Sequence, residues 1–115
     1  PFNGGMTTLE ALWMGVPVVT FAGNSVVSRQ TVSALSNIGL ADELVYADVD
    51  AYIRGAIKLA NDREALMRLR REIRPRMINS PLSQPEQFAS DLEALYSRMW
   101  QAYCEGRKLQ SDIGE

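Results

Sequence analysis

The segment from Asn3 to Thr20 constrains the fold of this chain more than any other feature. It contains, in order, paired glycines, paired threonines, a short helix and a run of β-branched residues. The helix is predicted over residues 7–14, with apolar residues at helical spacing and Gly15 as its C-terminal cap. Residues 16–21 are apolar on both faces, which is typical of a strand inside a parallel sheet. A helix that leads into such a strand predicts an α/β fold.

The start of this first helix predicts an anion site. Gly4 and Gly5 permit a tight turn and a close approach of the backbone to a ligand. The first N–H groups of a helix lack partners within it, and the helix dipole is positive there. Thr7 or Thr8 can cap the helix or donate a hydroxyl to a phosphate oxygen. Glu10 follows closely enough to lie beside a bound ligand. The alternative is a plain capped helix, in which Glu10 only favours the dipole.

The remainder of the chain is predicted to be mostly helical. Asp48 or Asp50 caps a third helix, residues 61–62 separate it from a fourth, and Pro75 predicts a kink in that fourth helix. The other predicted elements are a second helix over residues 27–37, a short strand over residues 44–46 and a last helix over residues 85–105.

The last helix has two apolar faces. Its main stripe consists of residues spaced three or four apart, namely Phe88, Leu92, Leu95, Met99 and Tyr103. Tyr96 and Trp100 form a second patch about 100° around the axis. Because a surface helix of a small domain seldom needs two apolar faces, we expect the second patch to pack against another part of the protein.

Composition excludes several classes of partner. The 115 residues allow one domain, and a chain that begins inside a motif is predicted to be a fragment of a longer polypeptide. The net charge of -2, without a long basic run, argues against nucleic-acid binding. No apolar run approaches the roughly 20 residues of a membrane helix, so no membrane partner is predicted.

The cysteine and histidine content restricts the chemistry. The chain has no histidine, which excludes histidine-based triads and, with a single cysteine, makes a structural zinc site implausible. Its single cysteine, Cys104, cannot form an internal disulfide, which suits a cytoplasmic location.

Several separated motifs occur in an order shared with a known family. They are the segment over residues 3–20, the pair Ser28-Arg29 after a loop, residues 78–82, and a last helix with Leu95-Tyr96 and Met99-Trp100. Together they resemble the C-terminal catalytic segment of the O-linked N-acetylglucosamine transferases, including their bacterial SPINDLY-like relatives. The resemblance extends over residues 1–108, nearly the whole chain.

The resemblance implies a fold. Residues 1–115 would be the C-terminal portion of a Rossmann-like nucleotide-sugar-binding domain, with a mostly helical C-terminal half. The complete enzyme would have two such domains, the GT-B architecture. The last helix, residues 85–105, would cross back and pack on the missing N-terminal half.

The resemblance also implies an activity. It is the transfer of N-acetylglucosamine from UDP-GlcNAc to serine or threonine hydroxyls of proteins, with no cofactor and no metal. Acceptor proteins would bind tetratricopeptide repeats upstream of this chain. The segment alone is expected to be inactive, because relatives place a phosphate-contacting lysine and the acceptor site upstream. Two alternatives stay open: another donor on the same fold, GDP-fucose or UDP-glucose, or a non-catalytic α/β interaction module.

When the family's motif is matched to this sequence, it gives candidate binding residues. It gives no catalytic residue. The residues implied are Gly5, Met6, Thr7 and Thr8 for the diphosphate and Glu10 for the ribose. Arg29 is a further candidate, because its loop is expected at the same edge of the sheet; the alternative is a solvated or internally paired arginine. Gly5 and Met6 depart from the pattern, since hydroxyl or imidazole side chains are common there in relatives. Each lost side-chain hydrogen bond would weaken binding by about 1–2 kcal/mol.

Overall fold

A computed structural model describes residues 3–106 of the chain. The described residues form two compact units that divide between Ser83 and Gln84. The elements are, in order, helix α1 Met6–Trp13, strand β1 Thr20–Phe21, a 3-10 turn Val26–Ser28, α2 Gln30–Asn37, α3 Ala41–Leu44, strand β2 Val45–Tyr46, α4 Val49–Asn61, α5 Arg63–Ile78, a 3-10 turn Pro81–Ser83 and α6 Pro85–Cys104. The first unit is therefore α/β, as predicted, and the described part of the second is α6.

The two strands form a small parallel sheet. Thr20 lies opposite Val45, and Phe21 lies opposite Tyr46. Helices α2 and α3 connect the strands and supply the crossover that parallel pairing requires. The sheet is smaller than predicted, because residues 16–19 have no strand partner in the described part of the chain. Strand formation depends on a hydrogen-bonding neighbour, and an apolar sequence alone does not supply one.

Most helix ends lie where local sequence signals predict them. Gly15 and Gly39 adopt φ values of 75° and 67°, the left-handed conformation that ends a helix and favours glycine. The Asp48 carboxylate caps α4, and the Asp62 carboxylate caps α5. Each accepts the N–H three residues on, at 2.7 and 2.9 Å. The predicted second helix differs, since its first turn is a separate 3-10 turn and α2 begins only at Gln30.

The core of the first unit lies where α1, α2, α3 and α5 meet. On α5, Leu69, Ile73 and Met77 form a buried stripe at intervals of four residues. The helix continues through Pro75 to Ile78. The buried hydrophobic residues are Leu12, Ala34, Leu35, Ile38, Leu40, Leu44, Leu69, Ile73 and Met77. Tight packing of this cluster positions the N-terminal ends of α1 and α2.

Arginines of α5 contact neighbouring helices. The guanidinium carbon of Arg74 lies 4.9 Å from the centroid of the Trp13 ring, a cation–π contact with α1. Arg76 donates to two carbonyls at the C-terminal end of α2, at 3.1 and 3.4 Å, where a positive charge is favourable. Arg68 and Arg76 both pair with Glu72. These contacts favour a structural role for Arg68, Arg74 and Arg76.

The aromatic residues of helix α6 are exposed. Pro85 occupies its first turn, as expected for a residue that lacks an N–H donor. No residue of α6 is buried, and Tyr96 and Trp100 are 59% and 66% exposed. The rings of Trp100 and Tyr103 stack with centroids 5.8 Å apart. Neither α6 nor any other helix within residues 3–106 is long and apolar enough to cross a membrane.

Candidate functional site

The turn before α1 presents unpaired backbone donors. The carbonyl of Gly5 accepts the N–H groups of Thr8 and Leu9, at 3.1 and 3.3 Å. The N–H groups of Gly5, Met6 and Thr7 make no hydrogen bond to another group within residues 3–106. They are the donors that a helix cannot pair internally, and the positive end of the helix dipole lies at the same place.

Of the two roles open to Thr7 and Thr8, capping of this helix is contradicted by the structure. Gly5 is the N-cap residue and makes no side-chain cap hydrogen bond. Thr7 and Thr8 both lie inside α1, beyond the cap position. A capping side chain must precede the helix to accept the N–H groups of its first turn, which neither threonine does.

Thr8 instead holds the turn in place. Its side chain is buried, and its hydroxyl donates to the carbonyl of Gly4 at 2.9 Å. The hydroxyl of Thr31, on α2, donates to the same carbonyl at 3.1 Å and lies 3.2 Å from the Thr8 hydroxyl. The backbone N–H and the hydroxyl of Thr8 thus both donate to groups within the protein. A direct contact of Thr8 with a diphosphate would require one of these bonds to open.

Asn3 joins the turn to the first residue of β1 and to the 3-10 turn that follows the strand. Its backbone N–H donates to the carbonyl of Val27 at 3.0 Å. Its side-chain amide donates to the carbonyl of Ser28 at 2.7 Å and to the hydroxyl of Thr20 at 3.2 Å. No supporting role was predicted for Asn3 or Thr31, because their partners lie 17 to 27 residues away. Both residues fix the backbone of the candidate site.

The remaining predicted site residues are exposed around this turn. Met6, Thr7 and Glu10 are exposed on α1. Arg29 is exposed at the residue before α2, and its guanidinium makes no hydrogen bond or ion pair within the described residues. The bond from Thr31 to the turn brings the N-terminal end of α2, with Arg29, to the same region.

A groove of about 420 Å³ runs along the exposed side of α1. Met6, Glu10 and Met14 contribute to it at intervals of four residues, which places them on one helix face. Among its lining residues only Glu10 is charged; the others are Met6, Leu9, Trp13, Met14, Met77, Leu82 and Ser83. An apolar wall with one carboxylate suits a ligand that combines apolar surface with hydroxyl donors.

A second, larger cavity contains none of the predicted site residues. It lies between α4 and α5, with a volume of about 870 Å³, and charges of both signs line it, including Lys58, Asp62, Glu64 and Arg71. Within residues 3–106, no group of three acidic, cysteine or histidine side chains could hold a metal ion. The turn before α1 is the stronger candidate site, because it combines unpaired N–H donors with the predicted site residues.

Comparison with known proteins places the chain in a family. Residues 1–92 match the model of glycosyl transferase family 41. The protein named probable UDP-N-acetylglucosamine–peptide N-acetylglucosaminyltransferase SPINDLY from Hordeum vulgare is 43% identical over 106 residues, which are 92% of this chain and 11% of the relative. Its namesake from Arabidopsis thaliana is 42% identical over 92% of this chain and 12% of the relative.

A solved structure is also similar to this chain. It is that of a mutant O-GlcNAc transferase from Thermobaculum terrenum, with a TM-score of 0.83 and 40% sequence identity over 92% of this chain and 20% of the other. The chain thus spans about a tenth of the length of these curated relatives and a fifth of that structure. On the match over residues 1–92 and the similarity to these relatives, the chain belongs to glycosyl transferase family 41.

Proposed function

We propose that this chain is the donor-binding part of a glycosyltransferase that transfers N-acetylglucosamine from its UDP conjugate to serine or threonine hydroxyls of proteins. The observation that carries the proposal is the set of unpaired N–H groups at the start of α1, in a chain that matches family 41. The names of the relatives describe N-acetylglucosamine transfer to peptides and supply the substrates.

The complete fold follows from the same proposal. The parallel pair β1 and β2, joined by a helical crossover, would be part of a Rossmann-like sheet in an enzyme of the two-domain GT-B type. The similarity to the bacterial O-GlcNAc transferase structure supports this arrangement. Acceptor proteins would bind tetratricopeptide repeats upstream, and the cytoplasm stays the predicted compartment.

The proposed mechanism assigns the turn to the leaving group. When the acceptor hydroxyl attacks the anomeric carbon and gives its proton to a base, the bond from that carbon to the diphosphate breaks and negative charge develops on the departing UDP. The N–H groups of Gly5, Met6 and Thr7 and the dipole of α1 would stabilise that charge, with the Thr7 hydroxyl as a further donor. Arg29 would add a positive charge nearby. With these donors in place, we expect the reaction to need no metal.

Glu10 would hold the nucleoside. Its carboxylate, the one charge in a mainly apolar groove, would accept hydrogen bonds from both ribose hydroxyls. The apolar wall beside it would cover the less polar surface of the nucleoside.

The first test concerns Thr7. In the full-length protein, Thr7→Val should lower the affinity for UDP about five- to tenfold, because a hydroxyl donor to a charged oxygen is lost. The melting temperature should change little, since the Thr7 side chain is exposed. The neighbouring Thr8→Val is the matched control and should lower stability more, since it breaks the buried contact with Gly4. Calorimetric titration and thermal unfolding measure the two effects.

The same titration tests the role of Thr7 and two of the alternatives, a GDP-sugar donor and a non-catalytic module. Unchanged UDP affinity in a folded Thr7→Val protein would reject the role of Thr7. Tighter binding of GDP than of UDP would favour a fucose donor. Binding of neither nucleotide would favour a non-catalytic interaction module.

We further propose that α6 packs on the N-terminal half of the complete enzyme. Tyr96 and Trp100 are exposed aromatic residues on one side of the helix. Residues 1–115 alone should therefore bind a hydrophobic dye and self-associate, and the double variant Tyr96→Ser/Trp100→Ser should reduce both. The full-length protein should show neither behaviour. A monomeric segment that binds no dye would contradict this packing.

A further inference from the structure

We propose that Gln30 is a further residue that binds the diphosphate of the donor, an inference that rests on the proposed function. Gln30 is the first residue of α2, 25 positions after Gly5. A β-carbon placed on Gly5 would lie 2.9 Å from the Oε1 atom of Gln30 and 3.9 Å from its Cδ atom. The amide of Gln30 therefore lies directly beside the turn that carries the unpaired N–H groups.

The amide of Gln30 is available to a ligand. Gln30 is exposed, and its side chain makes no hydrogen bond within residues 3–106. The polar side chains nearby behave differently, since Asn3, Thr8 and Thr31 each make hydrogen bonds inside the protein. A glutamine amide has two N–H donors, and rotation about its last bond exchanges the oxygen and nitrogen ends.

The backbone of Gln30 is held in place by its neighbour. Thr31 donates to the carbonyl of Gly4 and contacts the hydroxyl of Thr8, so the start of α2 is attached to the turn independently of the Gln30 side chain. An anion that accepts the N–H groups of Gly5 and Met6 would lie within reach of the Gln30 amide. Such an arrangement orders little besides one side chain on binding, which favours affinity.

Gly5 and Gln30 are complementary in volume. The glycine at position 5 has no side chain with which to bind a ligand. Any side chain at position 5 would have to displace the Gln30 amide. We infer that Gln30, from the neighbouring helix, supplies the side-chain donor that position 5 lacks.

The test uses the full-length protein, with UDP as the ligand in calorimetric titrations. Gln30→Leu keeps the approximate size but removes the amide, and should lower UDP affinity about tenfold. Gln30→Glu should lower it further, because a carboxylate would repel the diphosphate. Gln30→Lys should retain or increase affinity, because an ammonium replaces the donor. Asn37→Asp, the same amide-to-carboxylate change at the other end of α2, is the matched control and should leave affinity unchanged.

The outcomes separate this inference from the proposed function. Failure of the unmodified protein to bind UDP would overturn both. Binding by the unmodified protein, with the same affinity in all three Gln30 variants, would overturn only the role of Gln30. Equal losses for Gln30→Leu and Gln30→Lys would show that the side chain fills space and would reject its role as a donor. Uridine serves as a second ligand: an equal loss for uridine and UDP would reject a contact with the diphosphate.

Discussion

Glu10→Gln should lower the affinity of the full-length protein for UDP by about tenfold or more, with almost no change in thermal stability. The carboxylate can accept a hydrogen bond from each ribose hydroxyl, and hydrogen bonds to a charged group are stronger than neutral ones. Glutamine keeps one acceptor and loses the charge. Glu10 is the fifth residue of α1, beyond the first turn where the dipole acts on charges, so the helix itself should lose little.

The ribose contact has its own signature. UDP should bind the unmodified protein more tightly than 2′-deoxy-UDP, and Glu10→Gln should reduce that preference. Glu64→Gln makes the same change in the first turn of α5 and is the control for an effect on a helix dipole. If Glu10→Gln lowered stability by some tenths of a kcal/mol and left UDP affinity intact, Glu10 would act on the helix alone.

Gly55→Ala should lower the free energy of unfolding by about 2 kcal/mol. Gly55 is buried in α4, and a β-carbon there would lie 2.0 Å from the Cζ atom and 2.3 Å from the hydroxyl oxygen of Tyr46. The ring of Tyr46, on β2, thus packs directly on the backbone of α4. Alanine would force the ring or the helix to move, and this cost exceeds the gain of about 1 kcal/mol in helix propensity. Denaturant unfolding measures the difference.

The same substitution in a protein that lacks the Tyr46 ring gives a stricter test. In a Tyr46→Ala protein the ring is gone, so Gly55→Ala should become stabilising by about 1 kcal/mol through helix propensity. The sign of the effect therefore depends on Tyr46. A stabilising effect of Gly55→Ala in the unmodified protein would refute the close approach of the ring.

Features that depend on neighbouring residues in the sequence were predictable. The αL conformation of Gly15 and the capping carboxylates of Asp48 and Asp62 depend on contacts within one helical turn. The motif in residues 3–20 likewise indicated the glycine turn before α1.

Only the tertiary structure decided which side chains support that turn and which lie free beside it. Thr8 was predicted as a cap or ligand, yet its hydroxyl is used by Gly4, because packing brings Thr31 of α2 to the same carbonyl. The position of Gln30 beside Gly5 has the same origin. The sequence by itself determined most helix ends, the α/β character and the family. The tertiary structure decided the supporting contacts and the short strands, because these depend on residues far apart in the chain that only the packed core brings together.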